Sequence, residues 1–456
     1  MGIGKWIFVA GNCNILTTWI QGVPLTKKWT NWARNQYSNP HKIFRPKSEA
    51  EITEIVSLGV AKRLKVRPIG NGHSFSSIGL TDGFLVSLES MNRITNIDRE
   101  KLQVTVGAGI TISDLNRELH KIGFALPNLG DIDTQSLAGA IATGTHGTGI
   151  EYNSISSAII GIRIATGDGT VIEISESRNS EFLGPAKVSL GALGIITSVT
   201  LQCVPAFNLR ILEFTAKLPE IISRFKIEEL NADFVEFFWF PHTELAEIKI
   251  CNKVASANTR TNKLSSFVTD EVIRNFGFSL LNQFWLQFPN SVNRTMNNLI
   301  KENIRPERID ASYKVFCSKR RVKFLEMEYS VPREYLFDAF DEVRRFIEGL
   351  SFPVTFPVEV RTLSADNIPL SMASERKTGF IAVHLYNRAN SKDFFTKIEN
   401  IMEKFNGRPH WGKLHNLDST KLAKLYPRWT EFAETRETLD PDGHFTNPYL
   451  ERVLGY

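Results

Sequence analysis

The sequence predicts an α+β protein of two or more domains, and three observations carry that prediction. At 456 residues the chain exceeds the usual size of one domain. Its first part strings together a strand, a glycine-rich loop, two more strands and a helix, an order that departs from a regular βαβ array. The texture then changes near Ala206, and from there to Arg408 the chain holds most of its aromatic residues and long amphipathic runs.

Taken in order, Trp29 to Pro46 reads as an irregular lead-in. Ser48 with Glu51 forms a capping box, and Ile52, Ile55, Val56, Gly59 and Val60 recur at helical spacing, which predicts a helix before a strand over Lys65 to Ile69. Phe84 to Leu88 and Gln103 to Gly107 read as strands, and Ile112 to Ile122 as a helix begun by Thr111 or Ser113. Ile159 to Ala165 and Thr170 to Ile174 form a hairpin about Gly167-Asp168-Gly169. A small-residue loop from Ser189 leads into a β-branched strand that Pro205 is expected to end. Beyond Ala206, Phe234 to Pro241 and Glu247 to Cys251 read as antiparallel partners, Asn258 to Lys263 as a polar loop, and Lys319-Arg320-Arg321 as a solvated basic cluster.

Composition narrows the function classes. Hydrophobic residues make up 42% and charged residues 23%, the balance of a soluble globular chain with a sizeable core. A net charge of +5, set against 54 basic and 49 acidic side chains, leaves no nucleic-acid footprint. Cys13, Cys203, Cys251 and Cys317 are far apart with no CxxC pair, so they are expected to stay reduced in a cytoplasmic protein. Trp6 to Ile20 is apolar but broken by Asn12 and Asn14, and it falls short of the ~20 residues of a membrane span. Membrane association through it is the weaker alternative.

Three stretches carry candidate chemistry. Val66 to Ser77 contains Gly70-Asn71-Gly72-His73-Ser74. Glycines can take φ > 0 and bring their amides against an anion, with Ser74, Ser76 and Ser77 adding hydroxyls; in isolation the stretch reads first as a tight loop leaving a strand. In Pro127 to Gly149, Ser136 to Thr143 caps and forms a short helix whose Gly139, Ala140 and Ala142 admit a close neighbour. Thr143-Gly144-Thr145-His146-Gly147-Thr148-Gly149 then offers amides and hydroxyls that suit a pyrophosphate as well as a plain glycine turn. In Phe356 to Thr362, Glu359 and Arg361 are two apart on a strand, so both side chains leave one face, a pair costly to bury unless it serves itself or a ligand. The residues of a P-loop or of a Gly-x-Gly-x-x-Gly dinucleotide turn are missing. His410 and His415, five apart, cannot share a helical face as zinc ligands, so no metal is expected.

Gly70-Asn71-Gly72-His73-Ser74, Asn128-Leu129-Gly130, Ala142 to Gly147 and Leu190 to Ile196 resemble, in the same order, the FAD-binding segments of the vanillyl-alcohol-oxidase-type flavoproteins. Within that superfamily they resemble the sugar-1,4-lactone oxidases (gulonolactone and arabinonolactone) and the alditol oxidases. The resemblance covers most of the first 205 residues and resumes near the C-terminus. It implies a PCMH-type FAD-binding domain over 1–205, a mixed-sheet substrate or cap domain over 206–410, and a segment 411–456 that packs back on the first domain. It implies FAD as cofactor, held by Gly70, Asn71, Gly72, His73, Ser74, Ser76, Ser136, Gly139, Thr143, Gly144, Thr145, His146, Gly147, Gly194, Ile195 and Ile196. His73 lies where many of these oxidases carry the histidine bonded to the flavin 8α carbon, and Gly130 where a small residue leaves dioxygen a path to the ring.

The catalytic residues implied by the resemblance are Glu359, Arg361, Lys413 and Gly130. Glu359 and Arg361 would bind substrate hydroxyls, with the arginine stabilising negative charge. Lys413, in Arg408-Pro-His-Trp-Gly-Lys413, would reach substrate and flavin, while His384 is expected as a core histidine. The implied reaction is oxidation of a sugar-derived alcohol, an aldono-1,4-lactone ahead of an alditol, with hydride transfer to flavin N5 and dioxygen as acceptor giving hydrogen peroxide. Asp131 departs from the serine that follows the gate position in alditol oxidase, which favours lactones over open-chain polyols. The alternative of another class is a flavin-binding electron-transfer protein or dehydrogenase that does not use oxygen.

Overall fold

The computed structural model describes residues 28–255, 278–288, 291–317, 322–350, 352–389 and 392–455. The apolar N-terminal run, the Asn258 to Lys263 segment and the Lys319-Arg320-Arg321 cluster lie outside them. The first predicted helix spans Glu49–Lys62, and Ser48 caps it by accepting from the Glu51 amide. The Glu51 carboxylate reaches back to the amide of Lys47 instead of that of Ser48.

The lead-in contains a strand that sequence reasoning missed. Lys42–Phe44 runs parallel to Phe84–Ser87, which also pairs in parallel with Val66–Ile69. The helix therefore closes a single βαβ unit within a three-stranded sheet, beside antiparallel sheets that keep the domain from being a regular βαβ array. Three residues are too few to display a period of two, and Phe44 is fixed by a tertiary contact, its ring meeting Phe84 edge to face at 5.0 Å.

A second, antiparallel sheet of five strands follows the order Val171–Ser175, Ile159–Ala165, Ile195–Gln202, Gln103–Gly107, Ile94–Asp98. Ile94–Asp98 escaped prediction because its exposed edge position leaves it polar, without apolar alternation. Ile195–Gln202 stops short of Pro205, which pairs with Phe124 in a separate short ladder. The helices Ile112–Lys121 and Leu137–Ala142 begin at Thr111 and Ser136, whose hydroxyls accept from the amides of Asp114 and Gly139.

The rest of the described chain builds a nine-stranded sheet whose middle strands are Asn208–Lys217, Leu245–Val254, Phe234–Trp239, Val358–Leu363, Thr378–Tyr386 and Phe324–Pro332. Helices Leu218–Glu228, Leu336–Glu348 and Lys392–Lys404 cover one face. Phe237 meets Phe225 and Phe340 there, and the Tyr329 hydroxyl donates to Glu399. Because side chains alternate along a strand, Glu236, Glu326, Glu328, Glu359 and Arg361 leave by the opposite face, toward the N-terminal half.

The C-terminal helices Ser419–Leu425, Trp429–Leu439 and Pro448–Leu454 follow, and residues near the last of them bond to the N-terminal half. Asn447 donates to the carbonyls of Ser77, Ile78 and Leu80, and buried Arg67 donates to those of Ile78, Leu190, Gly191 and Phe445. Among the described residues no helix is long and apolar enough to cross a membrane.

Candidate active site

A cavity of about 1000 Å³, counted with its open mouth, lies between the two N-terminal sheets. Gly70, Asn71, Gly72, His73, Ser74, Ser76, Ser136, Gly139, Thr143, Gly194 and Ile196 line it. Its walls approach so closely that a Cβ on Gly70 would collide with the Ser136 hydroxyl. Gly194 has φ +140°, and a Cβ there would strike the carbonyl of Ala165. Gly72 takes the expected positive φ, at +67°, whereas Gly70 serves by its small size alone. This glycine-walled groove at the start of a short helix fits an anionic dinucleotide, because backbone amides can reach phosphate oxygens without a cationic side chain.

Three of the sequence-predicted cofactor residues line neither this cavity nor its neighbour. Ile195 is buried in the core at the start of its strand. Gly147 is needed where it packs on the Asn128 side chain, and Gly144 turns the chain at φ +72°. Ser76 lines the groove, but its hydroxyl donates to the Trp411 carbonyl and so ties in the C-terminal segment.

A second cavity, of about 1220 Å³ with its mouth, shares His73, Ser74, Gln135 and Thr143 with the first, so the two adjoin at these residues. The His73 Nε2 lies 3.0 Å from the Thr134 hydroxyl, and its ring stacks on Trp32. Burial, with Lys323 and Lys413 nearby, pushes its pKa down to about 4, so the imidazole is neutral at physiological pH.

Glu359, Arg361 and Lys413 converge on this second cavity together with Thr145, His146 and Asp131. Glu359 and Arg361 form an ion pair on adjacent same-face positions of their strand. The Arg361 Nε also donates to Glu236 at 3.0 Å, and the Lys249 ammonium donates to the other Glu236 oxygen at 2.9 Å. Burial raises the Glu359 carboxyl to about 7 against the pull of Arg361, and Asp131 and Glu236 add to the rise. Lys413 pairs with Glu326, which also lies 3.5 Å from the His384 Nε2. Burial works against the Lys413 ammonium, but Glu326, Glu328 and Asp131 outweigh it and raise the pKa.

Gly130 lines a small adjoining cavity with Asp131, Glu236, Lys249 and Arg361. An added Cβ there would stand 3.1 Å from both the His146 carbonyl and the Thr145 methyl, the latter belonging to a residue of the main cavity.

Sequence reasoning missed Glu236, Glu326, Glu328 and the engagement of His410. The signal was available: Phe324-Leu-Glu-Met-Glu-Tyr329 places two carboxylates two apart in an apolar strand, the same pattern that marks Glu359 and Arg361. His410 clusters with His146 and Glu328, their donor atoms all within 4.8 Å of one another. The His146 Nδ1 is 2.9 Å from the Gly147 carbonyl and must carry a proton to bond it. His146 Nε2, 3.3 Å from a Glu328 oxygen, then needs a proton or a cation between them. A metal ion is disfavoured, since the Gly412 amide donates to His410 Nδ1 and so leaves the neutral ring's proton on Nε2, where a metal would bind.

Residues 40–175 match the FAD binding domain family, and residues 199–453 match the D-arabinono-1,4-lactone oxidase family. The chain belongs to the D-arabinono-1,4-lactone oxidase family. The FAD binding domain match contains the groove residues from Arg67 to Thr143, and the second match contains Glu359, Arg361 and Lys413. The chain is 37% identical to L-gulono-1,4-lactone dehydrogenase of Mycobacterium tuberculosis, over 94% of this chain and 99% of the relative. It is 35% identical to L-gulonolactone oxidase of Mus musculus (94% and 98% covered) and 27% identical to alditol oxidase of a Streptomyces species (93% and 98% covered). Cholesterol oxidase from Brevibacterium sterolicum shares the fold, with a TM-score of 0.73 at 16% identity, over 94% of this chain and 96% of that one.

Proposed function

We propose that this protein is an FAD-dependent oxidase of a sugar-derived alcohol, an aldono-1,4-lactone ahead of an alditol, with dioxygen as acceptor and hydrogen peroxide as product. The observation that carries the reading is the convergence of Glu359, Arg361 and Lys413 on the cavity that meets the cofactor groove at His73. The names of relatives on both sides of the alcohol class, lactone and alditol, support it.

Bound FAD supplies the two-electron acceptor. The chain's own residues do the rest. Arg361, held on both sides by Glu359 and Glu236, presents a fixed guanidinium to a substrate oxygen and stabilises negative charge that develops there. Lys413 lines the same cavity and offers a second positive charge, and Glu359 accepts a hydrogen bond from a neighbouring hydroxyl. Such clamping holds the reacting carbon near its attack geometry, a large share of the barrier in oriented reactions.

His73 is the residue for covalent attachment. The Thr134 hydroxyl bonds Nε2, and in the tautomer that donates to it Nδ1 of the neutral ring is left as the nucleophile. Gly130 is the residue for oxygen access, since a methyl there would press on Thr145 at the cavity wall. A specific observation favours a second reading for the acceptor: the Mycobacterium relative is named a dehydrogenase.

A peroxide assay across aldonolactones and alditols tests the activity, and mixing substrate-reduced protein with air separates the acceptors. Rapid reoxidation with stoichiometric peroxide is expected; slow reoxidation, unchanged in Gly130→Ala, selects the dehydrogenase. Flavin should stay with the denatured polypeptide and be released from His73→Ala.

A further inference from the structure

The turn at residues 31–36 is fastened to the cofactor groove beside His73. The Trp32 amide donates to the Gly72 carbonyl at 2.7 Å, the Asn31 side chain to that of Ser74, and the Asn35 and Gln36 side chains to that of Phe75. Asn31 also accepts from the amides of Asn35 and Gln36, closing a turn in which Arg34 takes φ +61°. A left-handed arginine is unfavourable by itself, and here the surrounding bonds fix it. The turn presents Trp32, whose indole stacks on the His73 imidazole with ring centres 5.8 Å apart and planes inclined by 27°. Lys323, just before the strand Phe324–Pro332, holds its ammonium 3.8 Å from the centre of the same indole. Among the described residues Lys323 has no carboxylate partner, whereas Lys413, the other cation near His73, is held by Glu326.

Resting on the reading that His73 bonds the flavin, we propose that Trp32 and Lys323 are positioning residues for that bond: Trp32 fixes the plane of the imidazole, and Lys323 pins Trp32 and keeps a proton off the ring. The Thr134 hydroxyl bonds one rim of the imidazole, about which the ring could rock unless its face is held. Trp32 supplies that face contact, and alignment of the attacking nitrogen is a large part of the barrier in an oriented reaction. Attack also needs an uncharged ring. Burial first, then Lys323 and Lys413, disfavour the imidazolium. The acids of the adjoining cavity pull the other way: Glu326, Glu328 and Glu359 stand against Lys413, His146 and Arg361, and Asp131 lines the wall with them. The bond itself replaces one C–H of the flavin 8α carbon with C–N. The carbon gives up a proton, the imidazole gives up its own once alkylated, and the two electrons released pass by way of the flavin to dioxygen, so one hydrogen peroxide forms for each bond.

The test uses the full chain purified without flavin, mixed with FAD in air and denatured at intervals, so that bonded flavin is counted on the polypeptide and free flavin in solution. Wild type should bond flavin with one peroxide per bond. Trp32→Leu and Lys323→Met should bind FAD as the wild type does in calorimetry, yet form the bond roughly 3- to 10-fold more slowly, the scale of a lost ring or cation–π contact. Trp32→Phe and Lys323→Arg, which keep a ring face and the charge, should recover the rate. The pH at which attachment falls to half should rise in Lys323→Met and stay in place in Lys323→Arg. Wild-type attachment rates in Trp32→Leu and Lys323→Met overturn the proposal, as does a slowed rate that neither conservative variant recovers. If Trp32→Leu takes up no FAD, Lys323→Met decides by itself. A wild type that binds FAD and never bonds it overturns the His73 reading and this proposal with it, a result separate from bonding that the variants leave unchanged.

Discussion

Glu236 accepts a hydrogen bond from the Arg361 Nε at 3.0 Å across neighbouring strands, while Lys249 occupies its second oxygen at 2.9 Å. The guanidinium at the cavity wall is thus aimed by a residue outside it. Glu236→Gln keeps the shape and removes the charge. Losing one charge-assisted bond costs ~1.5–3 kcal/mol, so kcat/KM should fall roughly 10- to 100-fold. Lys249, which also donates to the Val315 carbonyl, would be left buried without its carboxylate partner, so stability should fall as well. The double variant Glu236→Gln/Lys249→Met should recover stability in denaturant titration without recovering turnover. Full activity in the single variant would show that Arg361 keeps its aim by other means.

Burial sets the Glu359 carboxyl at about 7, with Arg361 opposing the shift. Below that pH the group is neutral and above it is an acceptor for substrate hydroxyls, so kcat/KM should rise through neutrality. Glu359→Gln should lower the rate and remove the step. The sign for stability is opposite: between the unfolded value of ~4.3 and about 7 the folded state keeps a proton that the unfolded state has lost, so this group's contribution weakens as pH rises. A pH profile without a step near neutrality, or one that survives the substitution, would refute the assignment.

The acid limb runs the other way. Burial holds His410 and His415 at about 3, with Glu328 opposing the shift at His410 and Arg452 and His410 adding to it at His415. Between ~6.5, the unfolded value, and about 3 the unfolded chain binds protons that the folded chain refuses, so stability falls as pH falls through that window. Denaturant midpoints measured down the acid range should decline over it. His415→Gln, which keeps a partner for the Tyr449 hydroxyl, should flatten the decline; an equal slope in the variant would place the acid sensitivity elsewhere.

How much of this was legible in the sequence depends on whether the information is local. Ser48, Thr111 and Ser136 announce their helices because capping is a contact within one turn. Glu359 and Arg361 announce their shared face because strands alternate. The parallel pairing of Lys42–Phe44 with Phe84–Ser87 is not local, and three residues carry no pattern of their own. Likewise nothing in Phe234 to Trp239 says that Glu236 will face Arg361, which lies 125 positions further along the chain. The meeting of His146 with Glu328 is equally a product of two sheets packing, and spacing along the chain cannot show it.

Arg67 offers the sharpest test of how the cofactor groove is held together. Its guanidinium is buried and donates to the carbonyls of Ile78, Leu190, Gly191 and Phe445, drawing three distant segments onto one side chain. Leu190, Gly191 and Ile78 all line the groove, so the same bonds that anchor the C-terminal return also set the groove's width. Arg67→Met preserves length and apolar bulk but leaves carbonyls unsatisfied, at ~1–3 kcal/mol for each buried one. The variant should unfold at markedly lower denaturant and should lose bound FAD, read by flavin absorbance after desalting, before it loses secondary structure. Retention of flavin together with a reduced midpoint would mean that Arg67 supports the C-terminal return alone, since only the Phe445 bond would then matter to stability.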